Sequence, residues 1–312
     1  MMKRMRMKRT MKRTMKRTMK RTMKRTLALI LAFTLMAGLA VPAFADSVKA
    51  GEKRVTVGAD LTEAQKVLVY QDFGIVQGTV EEIAVTNAEE RKYLEGRVAS
   101  SVIGTKAYSS VYIETKKSGK GLDISVKNIT WVTEDIYRNS LITAGVTDAR
   151  VIITAPFAVS GTAALTGIYK SYENITGKPI PEEVKEAAME ELVISSELAE
   201  NLGGEQVAAL VNELKLRVDD LKAMTDDQVR QEIKNIAINL NITLNADQIE
   251  QLLKLCRSLQ NIDFSAFQGA LESISKNLGS LADSGFWNSV KDFFVGIGEA
   301  IADFFTNLFG GG

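Results

Sequence analysis

The sequence predicts an α+β, mixed α/β protein: an N-terminal domain built on a mixed sheet, then an all-helical domain, then a C-terminal amphipathic aromatic helix. Three observations carry this. Between residues 46 and 177 short β-branched runs alternate with helix-length segments. After the prolines at 179 and 181 the apolar spacing becomes purely helical, and from 286 to 309 large apolar side chains recur at three- and four-residue steps.

The chain opens with an address. A basic leader (1–26) contains MKRT five times in succession, then an apolar run (27–41), Pro42, and the small-x-small site Ala43-Phe44-Ala45 before Asp46. This is the layout of a secretory signal peptide cut between Ala45 and Asp46. The run is shorter than the roughly 20 apolar residues that a membrane-spanning helix needs. Internal methionines such as Met19 and Met23 would open more ordinary leaders. The expected localisation is secreted or extracytoplasmic, associated with the cell envelope.

Removal of residues 1–45 reverses the charge balance. All 38 acids follow Ala45, whereas 13 of the 39 Lys and Arg precede it, so the mature chain carries 26 minus 38, or −12. A chain this acidic is repelled by phosphate backbones, which excludes nucleic acid as a partner. There is no His and a single Cys, Cys256. Ser-His-Asp and Cys-His nucleophilic systems, His-ligated zinc and HExxH proteases are therefore excluded. No intramolecular disulfide can form, and no cofactor is expected.

In the first domain (46–177), 54–58 reads as a strand. Thr62 with Gln65 forms a capping box for a helix that ends at Gly74. Residues 82–86 read as a second strand, and Asn87 with Glu90 as a second capping box, opening a helix to about Ser101. Segments 107–117 and 122–132 flank the turn 118–121 and predict a hairpin, with a phase shift that places a bulge near Asn128. Residues 134–145 read as a helix, 150–155 as a strand buried on both faces, and 162–175 as a helix closed by Gly177. The order of the strands in the sheet stays open.

In the helical domain (178–274) the helix starts IPEEV (180–184), LGGEQV (202–207), MTDDQV (224–229) and LNADQI (244–249) resemble one another; degenerate repeats and shared capping chemistry account for this equally well. Cys256 sits at helical spacing with Ile249, Leu252, Leu253 and Leu259, a core position. Residues 275–285 read as a small, polar hinge, and 310–312 as a glycine tail. Between them, Phe286, Trp287, Val290, Phe293 and Phe294, continued by Ile297, Ile301, Phe304, Phe305 and Leu308, fall on one helical face. Ten such side chains represent about 15 to 30 kcal/mol of gross burial, which a soluble protein seldom leaves uncovered. This helix either docks on its own protein or is the contact element for a membrane surface or an envelope protein.

Catalytic motifs are weak. The SxxK at 273–276 and the KSG at 117–119 stand in the reverse of the order that penicillin-binding enzymes use. Asn239 to Glu250 echoes calcium-loop spacing, without Asp at position one or Gly at position six. Ser160-Gly161-Thr162 lies between a strand and a helix, where anions can bind, yet lacks a phosphate-loop motif. Adjacent acids such as Glu182-Glu183, Glu190-Glu191 and Asp226-Asp227 read as solvated helix faces.

The segments VTVGADLTEAQ (55–65) and ITAPFAVSGTAALTGIYKSYE (153–173), with the helical region after Pro179, resemble the YpuA-like secreted proteins of Gram-positive bacteria. The resemblance covers most of residues 50–270 and implies an exported, two-part protein. It supplies no activity and no functional residues. The expectation is a non-catalytic envelope-associated binding or interaction protein. The alternative is a His-independent, carboxylate-based hydrolase acting on an envelope polymer.

Overall fold

The structure, a computed structural model, describes residues 48–278. The expected processing site (Ala43, Ala45, Asp46) and the expected aromatic face from Phe286 to Leu308 lie outside these residues.

Five strands form one mixed sheet: β1 (Lys53–Gly58), β2 (Glu82–Val85), β3 (Ser110–Thr115), β4 (Asp123–Ile129) and β5 (Ala149–Val159), in the order β2-β1-β3-β5-β4. The helices between them are α1 (Glu63–Phe73), α2 (Asn87–Leu94), α3 (Ser100–Ile103) and α4 (Glu134–Thr143). After β5 the described chain is helical: α5 (Thr162–Thr176), α6 (Glu182–Leu202), α7 (Gly204–Leu216), α8 (Val218–Ala223), α9 (Asp226–Asn239), α10 (Ala246–Leu259) and, after a short 3-10 turn, α11 (Gln268–Leu278). The protein is thus mixed α/β, as its periodicity predicts.

Local chemistry explains most of the boundaries. Thr62–Gln65, Thr225–Gln228 and Asn245–Gln248 each close a reciprocal capping box. Gly74 and Gly177 end α1 and α5 in the left-handed region, where a side chain is disfavoured. Asn128, at φ 59°, supplies the expected bulge, and its amide donates to the Ala155 carbonyl at 2.7 Å. Two local expectations need correction. The second capping box belongs to Thr86 and Glu89, not to Asn87 and Glu90. The helix that follows stops at Leu94, because the chain turns through Gly96 at φ 81° before α3 begins.

The hairpin expected from β3 and β4 does not form. β5 stands between them, antiparallel to β3 (Tyr112↔Ile152) and parallel to β4 (Ile124↔Val151). Burial decides this. β5 is apolar on both faces and needs a neighbour on each side. β4 exposes Asp123, Ser125 and Lys127 and suits an edge, where charge also discourages pairing with another chain.

One sheet face is covered by α1, through Val69, Tyr70 and Phe73 against Val55, Val57, Tyr112 and Ile152. The other packs on α4, α5 and α6, with Val111, Ile113, Val151 and Ile153 inside. The long α6 serves two cores. Ala188, Met189, Leu192 and Val193 meet the sheet side, while Ile194 and Leu198 join the helical core around α7, α9 and α10. Between them lies a dry ion pair, Lys215 with Glu191, both wholly inaccessible. The Lys215 ammonium also donates to the Asn139 carbonyl at 2.8 Å, and the Thr143 hydroxyl to Glu191 at 2.5 Å, so α4, α6 and α7 meet at one polar knot.

Candidate functional site

A cleft of about 590 Å³ opens where the last residues of β5 leave the sheet. One wall is α3 with the segment after it, including Ser101 and Lys106. The opposite wall is Phe157 to Ser160 with Thr130 and Trp131. Glu90 and Thr162 form its inner end, and Tyr108 and Ser109 complete it.

Geometry, not a sequence motif, assembles these groups. The last pairing of β5, Ile129↔Val159, follows the Asn128 bulge, and Ser110↔Thr154 ends its pairing with β3. Phe157 therefore projects beyond the β3 ladder, 41% exposed, with its ring edge-to-face on Tyr108 at 4.9 Å. The turn into α5 is fixed by Gly161 at φ 96°, where a Cβ would lie 2.3 Å from Ile129 Cγ2 and 2.6 Å from the Tyr137 hydroxyl. That hydroxyl donates to the Gly161 carbonyl at 2.6 Å. Only glycine fits there.

Glu90 is 1% exposed. Its carboxyl accepts from the Thr162 hydroxyl and from the Asn87 amide. Ser160 stands 3.2 Å from Thr162, hydroxyl to hydroxyl. Burial pushes the Glu90 carboxyl up to about 7, against the pull of these hydrogen bonds and of Arg91. A carboxyl so placed exchanges its proton near neutral pH, as catalytic acids and ligand-reading groups do. Ser109, 5% exposed, lines the cleft beside them and has no side-chain hydrogen bond among the described residues.

The family scan places the chain. A model described as "Protein of unknown function (DUF1002)" matches residues 57–276. The chain belongs to the DUF1002 family. It is also similar to the "Uncharacterized protein YpuA" of Bacillus subtilis (strain 168), 39% identical over 280 residues that cover 86% of this chain and 94% of the relative. No solved structure matches. The YpuA-like resemblance read from residues 55–65 and 153–173 therefore holds. Every residue lining the cleft lies within the span of the DUF1002 match, and the segment 286–309 lies beyond it.

The sequence motifs fall elsewhere or turn structural. Of the residues singled out by motif, Ser160-Gly161-Thr162 reaches the cleft, but Thr162 gives its proton to a carboxyl instead of facing an anion site. Ser273, the serine of the SxxK, is exposed, and its neighbour Ser275 is buried, where it accepts from Asn212 at 2.7 Å and donates to Glu213 at 2.8 Å. Paired acids are divided among cations: Glu190 to Lys254 and Glu191 to Lys215, Asp226 to Arg257 and Asp227 to Arg230. Among the described residues no cluster of acids or Cys suits a metal ion. Cys256 is a core residue, its thiol pushed up to about 12 by burial. The cleft residues Glu90, Tyr108, Ser109, Trp131 and Phe157 carry no sequence signature. The one available clue was the T-x-x-E spacing of Thr86 and Glu89, which frees Glu90 to turn inward.

Proposed function

We propose that this DUF1002 protein is exported and acts at the cell envelope by binding, with the cleft as its ligand site and residues 286–309 as its contact with a membrane surface or envelope protein. The observation that carries the reading is the cleft: aromatic at its mouth, closed at its inner end by a buried carboxyl, and lined by the Ser109 hydroxyl. Ligand sites combine apolar walls with a few convergent polar groups in this way. Export rests on the layout of residues 27–46, and the contact role on the aromatic periodicity downstream.

Sedimentation with isolated envelope material tests it. The chain from Asp46 is expected to pellet saturably, and truncation after Gly285 to leave most of it in the supernatant. A full-length chain that stays soluble at every envelope concentration would overturn the proposal.

The second reading, a carboxylate hydrolase, is favoured by Glu90 alone, because a carboxyl titrating near 7 is poised as a general acid or base. Hydrolysis of envelope polymer by the wild type, abolished in Glu90→Gln, would move the protein into that class.

A further inference from the structure

We infer that the cleft takes a neutral, polyhydroxylated ligand, a saccharide, held between the Tyr108 and Phe157 rings and the hydroxyl and carboxyl groups at its inner end. This rests on the cleft being a binding site and names what it binds.

Exposed aromatic faces carry partial negative charge and attract the weakly positive C–H edges of a ring stacked on them. Phe157, propped edge-on by Tyr108, presents such a surface at the mouth. Trp131 borders it and is held by a bond from its indole N–H to Glu200 at 2.9 Å. At the inner end stand Ser109, Ser160, Thr162 and Glu90, and at the rim Lys106, for which the structure gives no ion pair among the described residues. These groups donate and accept together. Ser160, Thr162 and Glu90 already bond among themselves, and a ligand that both donates and accepts can add to that network and meet the Ser109 hydroxyl and the Lys106 ammonium.

Other classes fit less well. A purely apolar ligand would seal the Ser109 hydroxyl away from water without compensation, which is costly. An anion seated against the α5 N-terminus would lie beside the Glu90 carboxyl, already bonded to Thr162. A peptide added to the free end of β5 would meet Pro156, which has no N–H to give. The volume, about 590 Å³, lies within the usual range for small-molecule sites.

Calorimetric titration of the purified full-length chain tests the inference with three probes: β-1,4-linked tetra-N-acetylglucosamine, maltotetraose and tetra-alanine. At least one saccharide is expected to bind saturably, one per chain. Phe157→Ala, an exposed position whose loss should not unfold the protein, is expected to weaken binding at least tenfold, as is Ser109→Ala to a smaller degree. Binding of tetra-alanine alone, lost in Phe157→Ala, would keep the cleft as a binding site and overturn the ligand class. Saccharide binding unchanged in both variants would place the sugar elsewhere and overturn the inference. No binding by any probe would overturn the inference, leaving the envelope sedimentation to judge the broader reading by itself.

Discussion

Burial of Glu90 ties the stability of the fold to pH. Its carboxyl, ordinarily near 4.5, titrates at about 7 in the folded chain, so between these values the folded state holds a proton that the unfolded state has released. The stabilisation is complete below the unfolded value and is lost as pH rises through 7, and a shift of that size corresponds to roughly 3 kcal/mol. Glu90→Gln removes the titration while keeping the shape. Urea denaturation at pH 5 and pH 8 should show the wild type losing roughly 3 kcal/mol more than the variant across that interval; equal losses would mean that Glu90 is solvated. The role of Glu90 was hidden in the sequence by a register of one. Thr86 was absorbed into the preceding strand, leaving Asn87 as the apparent cap and Glu90 as its exposed partner, whereas Thr86 and Glu89 close the box and turn Glu90 inward. Residues whose role depended on spacing alone, such as Thr62, Gly74, Asn128 and Cys256, were legible. Those whose role depends on a distant neighbour, such as Phe157 against Tyr108, were not.

At the scale of elements, α4, α6 and α7 are joined by the Lys215–Glu191 pair. Burial strips both charges of water, a cost returned only while each has its partner. Lys215→Met should therefore cost about 3 to 5 kcal/mol, since it strands the Glu191 carboxylate in the interior. The double change Lys215→Met with Glu191→Leu should recover most of that loss, because two apolar side chains need no compensation. Chemical denaturation of the wild type and the two variants checks this, and a double variant as unstable as the single one would mean that the pair holds the helices by geometry, not by charge. Lys215 lies between Val211 and Val218 at helical steps, so its place on an apolar face was written in the chain. Glu191 was not so readable: beside Glu190 it resembled a solvated face, and only the crossing of α6 over α7 separates one acid to Lys254 and the other to the interior. All five strands and most helix starts were legible, since periodicity and caps are local. Which strands become neighbours was not, since pairing depends on how much surface each buries in company.

At the scale of the whole molecule, removal of the signal segment is expected to leave a strongly acidic chain. Mass spectrometry of the extracellular protein should find an N-terminus at Asp46; a form retaining residues 27–45 would instead make that segment an anchor. The place of β5 also has a consequence for how the chain reaches this state. β3 and β4 leave the ribosome side by side in sequence, joined by a glycine-rich turn, and hairpins close within about 1 to 10 microseconds. In the finished sheet that pair must stand apart to admit β5, which arrives only after α4 has been made. The native sheet therefore replaces the shortest available pairing, β3 with β4, by the longer-range pairings of each with β5. The last strand of the sheet to be synthesised gives β3 its second neighbour and β4 its partner, while β1 and β2 pair without it.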